Sequence, residues 1–333
     1  NSKIKITSTD LDIIYFEEIK PLDLKKEGST TTSASILYDI LKKLQPNTKV
    51  EISLQSPNKI KLISENSKFN LLCLPSDNFP LPDEDIKVKN FEVSSKKLLQ
   101  LLNKTKISIS NDETRHYLNG IYLHKTNLDN KSFLCGVATD SHRLSSSSLE
   151  IDPSINIEPI ILPKKTIFQL ISLLEQTSDM IKISNNKSKI KFEMDGGVLI
   201  SKVIDGRFPD YSKVIPKGNE KILHLQLNEF RNSIDRVTTV SSDRTKGLKM
   251  AISKDAVQLS VNNPSSGEGI ENISAKFNSD ELNITFNSRY LTDITSQIEN
   301  ESIVVNLKDP GSPVLINDFS DKNSFHVVMP MKI

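Results

Sequence analysis

One plan recurs along this chain and constrains its fold more than any single motif: an apolar helical stretch, then short alternating strands. It is plainest in three segments. The first begins "SASILYDILKKL" and ends at Pro80, the second begins "LPKKTIFQLISLL" and ends at Pro216, and the third begins "FNSRYLTDITSQ" and ends the chain. Ile36, Leu37, Ile40, Leu41 and Leu44 share one helical face. Ile167, Leu170, Ile171 and Leu174 do the same, as do Tyr290, Leu291, Ile294 and Ile298, because positions three and four apart meet on a helix. Behind the helices the period changes to two, in Val50, Ile52 and Leu54, in Ile60 and Leu62, in Phe69 and Leu71, and in Ile190 and Phe192. Period two predicts strands with one buried face. A second set of segments starts at "NFEVSSKKLLQLLNK" and at "LHLQLNEFRNSIDRVTTV". There Ser95 is the expected N-cap ahead of Leu98, Leu99, Leu101 and Leu102, and Asn228 that ahead of Phe230, Ile234 and Val237.

The order helix–strands, helix–strands makes each domain a doubled unit, with expected domains at 1–88, 89–218 and 219–333. Residues 1–27 read as the tail of a unit whose helix is missing, so roughly 40 residues are expected to have been lost ahead of Asn1. The predicted class is α+β: three repeated domains with antiparallel sheet on one side and two helices on the other. A periodic series of such units can curve and close.

The helices carry a biased set of polar residues. Lys42, Lys43, Lys96, Lys97, Lys104, Lys164, Lys165, Arg231, Arg236 and Arg289 outnumber Asp39, Glu175, Glu229, Asp235 and Asp293. One helix with two lysines is an ordinary solvated face. Recurrence over five helices points to a shared surface facing a polyanion. The net charge of +1 means that bulk attraction is not what would hold DNA there. Cys73 and Cys135 stand alone in apolar runs, as reduced core residues do. No apolar run approaches the roughly 18 residues of a membrane-spanning helix.

"GVATDSHRL" (136–144) places Asp140, Ser141 and His142 side by side. A hydrolytic triad needs the serine at one imidazole nitrogen and the carboxylate at the other. Three consecutive residues on an extended segment alternate faces and cannot chain in that way. The segment also lacks a GxSxG elbow, and the chain has no Walker loop and no HExxH. The alternative is a tight turn favoured by Asp140 and Ser141, with His142 and Arg143 exposed. No catalytic residue, metal site or cofactor is expected.

Six stretches occur in order along nearly the whole chain: "RHYLNGIYL" (115–123), "VATDSHRL" (137–144), "DGRFPDYSKVIP" (205–216), "NNP" (262–264), "FNSRYL" (286–291) and "VVMPMKI" (327–333). By these the chain resembles the bacterial sliding clamps, the beta subunits of DNA polymerase III. The resemblance implies a head-to-tail homodimeric ring of six similar domains in the cytoplasm, with helices lining the hole. Such a ring is a non-catalytic processivity factor. It encircles double-stranded DNA and tethers the replicative polymerase, clamp loader, repair polymerases, and ligase or mismatch-repair proteins through short peptides. Weak, non-specific phosphate attraction suits a ring that must slide. The rival reading is a repeat-built scaffold that binds peptides without encircling DNA.

Carried over position by position, the implied peptide pocket comprises Leu118, Thr139, His142, Arg143, Leu144, Pro209, Val214, Asn287, Tyr290, Val327, Val328, Met329, Pro330, Met331 and Ile333. Its thioethers could repack around different Leu and Phe anchors, with His142 and Arg143 as donors to the peptide. Arg115, His116 and Tyr117 match a loop that touches DNA, and Lys42, Lys43, Lys96, Lys97, Lys164 and Arg231 are the helical DNA candidates. The dimer contact implied pairs Lys68, Phe69 and Leu71 of an edge strand with Thr239, Val240, Glu268 and Glu271. The chain departs from the family pattern at Ser141, where glycine is usual, and at Lys213, Thr239, Thr245 and Pro313.

Overall fold

The change of period from helix to strand is realised as a strand–helix–three-strand unit. The computed structural model describes residues 3–80, 86, 90–177, 179–241 and 246–332, so Thr245 and Ile333 lie outside the described residues. Its helices are α1 (Ala34–Lys43), α2 (Ser95–Lys106), α3 (Lys164–Leu174), α4 (Leu227–Val237) and α5 (Ser288–Thr295). Each follows a strand and is succeeded by three more. After α2 come Gly120–Leu128, Lys131–Thr139 and Arg143–Ile151, and after α5 come Ser302–Leu307, Val314–Asp318 and Ser324–Val328. The chain is thus α+β, built from repeats.

Two compact units form, Asn1–Lys87 with Asp195–Ser201, and Val88–Met194 with Lys202–Ile333. In the first, Ile13–Ile19 pairs antiparallel with Ile4–Thr9 on one side and with Gly197–Lys202 on the other. A separate sheet runs Thr31–Thr32, Ser67–Leu74, Lys59–Ser64, Glu51–Ser56. Its small core is Ile60, Leu62 and Cys73, with Leu37, Val50, Phe69 and Leu71 partly buried against it. Helix α1 is capped by Ser33 and ends in Lys42 and Lys43, where cations favour the helix dipole. It has no buried residue: Ile36 is 51% exposed and Leu41 42%. The apolar face legible in its sequence is therefore only partly covered, at Leu37, Ile40 and Leu44.

In the second unit the helical faces are buried as their periodicity requires. Leu98, Leu101 and Leu102 of α2, Ile167 and Leu170 of α3, and Phe230 and Ile234 of α4 are all at most 1% exposed. The expected caps are each displaced. Ser95 is the first helical residue of α2, fully buried, with its hydroxyl donating to the Thr177 carbonyl at 2.9 Å. The cap position falls on Ser94. In α4 the Gln226 side chain, not Asn228, accepts from the Glu229 N–H at 2.6 Å. Both shifts have one cause: each helix starts directly from a strand, so the half-extended cap residue is the last of that strand.

One hydrogen-bonded run of strands organises this unit. Its order begins Ile160–Pro163, Gly120–Leu128, Lys131–Thr139, Arg143–Ile151, Ser324–Val328, Val314–Asp318, Ser302–Leu307 and Lys221–Gln226. It continues through Gly267–Phe277, Ala256–Asn263 and Gly247–Ile252 to Leu282–Asn287. The junction that matters is the fourth with the fifth, where Arg143 stands opposite Val328 and Leu144 opposite Val327. It brings the "TDSHRL" segment beside residues from the far end of the sequence.

Candidate functional site

The segment around Ser141 is a tight turn joining Lys131–Thr139 to Arg143–Ile151, not an extended run. The Asp140 carboxylate accepts from the His142 N–H at 2.9 Å and the Arg143 N–H at 3.0 Å. Thr139 Oγ1 accepts from the Ser141 N–H at 3.1 Å and donates to the Arg143 carbonyl at 2.7 Å. These bonds hold Ser141 at φ 77°, the left-handed region that disfavours a side chain. Catalytic geometry is ruled out on partners rather than on alternation. Ser141 Oγ accepts from Arg115 Nη1 at 2.5 Å, and the Asp140 carboxylate is taken up by the backbone and by Arg143 Nε at 3.1 Å.

Around this turn part of the implied pocket comes together: Leu118, Thr139, His142, Arg143, Leu144, Tyr290, Val327, Val328 and Met329. The Met329 N–H donates to the His142 carbonyl at 2.9 Å, and the Met331 N–H donates to the Thr285 carbonyl at 2.7 Å. The first bond seats the chain's end against the turn, and the second seats it against the strand leading into α5. Beneath lies an apolar cluster of Leu118, Cys135, Val137, Leu144, Ile161, Phe208 and Val327, with Tyr117, Tyr122 and Tyr211 packed against it. It draws on four of the six stretches quoted above. Phe208 stacks on Tyr122 at 4.9 Å between ring centroids, which fixes the chain just before the exposed Pro209. Above the cluster Met329 is 41% exposed, Met331 42% and Val214 51%. The result is an apolar, open surface rimmed by backbone groups and by the exposed His142.

Arg143, expected as a donor to a peptide, has two of its donors engaged within the chain. Its Nη1 donates to Asp293 of α5 at 2.6 Å, its Nε to Asp140, and its guanidinium lies 4.3 Å from the Tyr290 ring centroid. With its side chain only 10% exposed, it ties the turn to α5. Asn287 caps α5 by accepting from the Arg289 N–H at 3.1 Å. Asp140 shapes the turn as its sequence implied, whereas Asp293 holds Arg143 although its sequence position did not point there. The signal for Asp293 was weak: a lone acid on a helix read as basic.

A buried polar chain supports the terminal strand. Ser108 Oγ and Ser145 Oγ are 2.7 Å apart, and Ser145 Oγ is 2.8 Å from His326 Nδ1. Burial pushes the pKa of His326 down to about 3, helped by the nearby Lys104 and Arg143 charges, so the ring is neutral. Lys104, counted among the cations of a shared polyanion-facing helix surface, is instead buried in an ion pair with Asp321 at 2.6 Å.

The other candidates divide. Lys42, Lys43, Lys96 and Lys97 are exposed. Lys164 is half-buried and donates to Asn111 Oδ1. Arg231 is half-buried and donates to the Thr295 carbonyl at the end of α5, so it braces two helices rather than projecting outward. Arg115 is held by Asp112 at 2.8 Å as well as by Ser141, and the hydrogen bonds from Thr114 and Arg115 bring the Asp112 carboxyl down to about 2. The ring nitrogen Nε2 of His116 lies 3.2 Å from the Asp205 carbonyl, and Tyr117 is half-buried. Among the dimer candidates, Lys68, Phe69 and Leu71 lie on Ser67–Leu74, which pairs with Lys59–Ser64 on one side and, among the described residues, only at Cys73 and Leu74 on the other. Thr239 and Val240 form a 3-10 turn. Glu271 is not free: it accepts from Ser233 Oγ at 2.7 Å and from Arg236 Nε at 3.0 Å. Glu268 lies on the stretch Gly267–Ile273, which pairs with Ala256–Asn263 on one side only among the described residues. Lys213 sits 3.5 Å from Asp210, and the Pro313 carbonyl accepts from Asn219.

Repeated α+β units with an exposed apolar surface beside the turn at Ser141 define a class, the chain built from repeats. Family models of the DNA polymerase III beta subunit match the chain in series: the N-terminal domain over 1–83, the central domain over 92–210 and the C-terminal domain over 212–332. The beta sliding clamp of Caulobacter vibrioides is 34% identical over 99% of this chain and 89% of its own length. That of Escherichia coli is 26% identical over 99% of this chain and 89% of its own. Among solved structures, a sliding clamp (DNA polymerase III subunit beta) from Bartonella birtlesii bound to griselimycin superposes with a TM-score of 0.96 at 36% identity, covering 100% of this chain and 89% of that one. The chain belongs to the DNA polymerase III beta subunit family, the beta sliding clamps. Its function is that of a non-catalytic processivity factor of DNA polymerase.

Proposed function

We propose that two copies of this chain close into a cytoplasmic ring around duplex DNA and hold partner proteins through the surface at His142, Leu144, Val327, Met329 and Met331. The domains divide at 88 and 218. The replicative polymerase, the clamp loader and repair enzymes dock by short peptides with Leu and Phe anchors. The carrying observation is the Met329 N–H bonded to the His142 carbonyl at 2.9 Å over the buried Leu118–Leu144–Val327 cluster. It joins a central turn to the chain's last residues and leaves two thioethers open. Thioethers adapt to different apolar side chains, which suits one surface serving several partners. The griselimycin held by the Bartonella clamp is consistent with a ligand-binding surface in this family. DNA is met through the exposed Lys42, Lys43, Lys96 and Lys97 together with the Arg115–Tyr117 loop. Copies pair through the strand edges at Lys68–Leu71 and Glu268. Deleting residues 329–333 should abolish binding of a Leu/Phe-anchored peptide while the far-ultraviolet circular dichroism stays as in the parent. Unaltered affinity would refute the assignment.

A further inference from the structure

The turn at Ser141 and the loop at Arg115 are tied by a hydrogen bond that a glycine at 141 could not make. Ser141 Oγ accepts from Arg115 Nη1 at 2.5 Å, and Arg115 Nε donates to Asp112 Oδ2 at 2.8 Å. The guanidinium is gripped on two sides. The backbone is bent at both ends of the bridge: Ser141 at φ 77°, and Arg115 at φ −114°, ψ 56°, which interrupts the 3-10 run Glu113–Leu118. The turn does not depend on the bridge for its shape, because Thr139 and Asp140 already bond three of its N–H groups.

We propose that Ser141 is a positioning residue that holds Arg115 in reserve from DNA phosphate. The inference rests on the reading that the Arg115–Tyr117 loop lies at the DNA surface. The bridge leaves three of the five guanidinium N–H donors unused but fixes where they point, so Arg115 turns to follow a phosphate only when the bridge opens. Its contact with DNA is then weakened by the fraction of time the bridge stays closed. For a ring that must slide, one fewer standing phosphate contact means a smoother path along the backbone. With glycine at 141 the same arginine keeps only its Asp112 tether and is available to phosphate.

The test uses the full chain and a fluorescein-labelled linear duplex, titrated by anisotropy across a salt series. Ser141→Gly should bind the duplex several-fold more tightly at low salt. It should also steepen log K against log salt by about 0.9, the signature of one more neutralised phosphate. Arg115→Gln alone should flatten the parent slope by well under about 0.9, and adding Ser141→Gly to it should do nothing further. An unchanged slope in Ser141→Gly, or the same steepening in the Arg115→Gln background, overturns the proposal. If Arg115→Gln by itself flattens the slope by about 0.9, Arg115 already touches phosphate in the parent; the reserve role then falls while the DNA surface stands. If the parent shows no salt-dependent binding at all, the DNA reading of this loop fails and takes the proposal with it.

Discussion

Ser141 is under two opposed influences. Its left-handed backbone costs about 1 kcal/mol relative to glycine, while its hydroxyl bonds Arg115. Ser141→Ala keeps the strain and loses the bond, so urea unfolding should show it less stable by about 1 kcal/mol; Ser141→Gly, which loses both, should lie near the parent. Equal losses in the two variants would show that backbone strain contributes nothing. His326 governs a pH effect. Its folded pKa of about 3 lies below the ordinary 6.5, so the unfolded chain takes up the proton first. Stability should therefore decline as pH falls from about 6.5 toward 3. In His326→Gln that decline should be shallower over this window. At this scale the sequence told residue types and not partners. "TDSHRL" was legible as a tight turn, but that Arg143 belongs to Asp140 and Asp293 depends on two elements meeting, which no local spacing reveals.

The elements themselves were mostly legible, because apolar period is a local property. The helix faces at Leu98, Ile167, Phe230 and Leu291 are buried as their spacing implied. The helix starts were misplaced by one or two residues, since a helix that follows a strand without a loop is capped by whatever residue ends the strand. Some contacts between elements leave no side-chain signal at all. A Cβ at Gly120 would stand 2.2 Å from the Leu162 carbonyl oxygen, between paired strands. Gly120→Ala should cost on the order of 3 kcal/mol by forcing Ile160–Pro163 away from its neighbour; a melting temperature equal to the parent's would contradict this packing. On α5, Asp293→Asn removes one of the two carboxylates facing the mostly buried Arg143. It should destabilise by about 1–2 kcal/mol and weaken peptide binding, because the turn loses its tie to the helix.

At the scale of the whole molecule, the repeat predicted the class of fold and the family motifs predicted what is done with it. The pocket implied by the family motifs set Arg143 and Leu144 with Val327 and Val328, but the repeat by itself did not predict the strand pairing that joins them, Arg143–Ile151 beside Ser324–Val328. Pairing between strands nearly two hundred residues apart is set by how two repeats abut, and apolar alternation is the same whichever neighbour a strand finds. Basic residues on the helices likewise looked equivalent in sequence. Burial separates Lys104 and Arg231, which brace the structure, from Lys42, Lys43, Lys96 and Lys97, which are open to solvent. A ring that holds DNA by enclosing it has a property that no surface binder shares: its hold depends on the topology of the DNA and not on affinity. The most direct measurement is therefore retention on nicked circular DNA after clamp loading, followed by cutting the circle. The protein should stay with the circle through gel filtration at moderate salt and be released when the DNA is linearised. Retention on linear DNA with free ends would contradict the account.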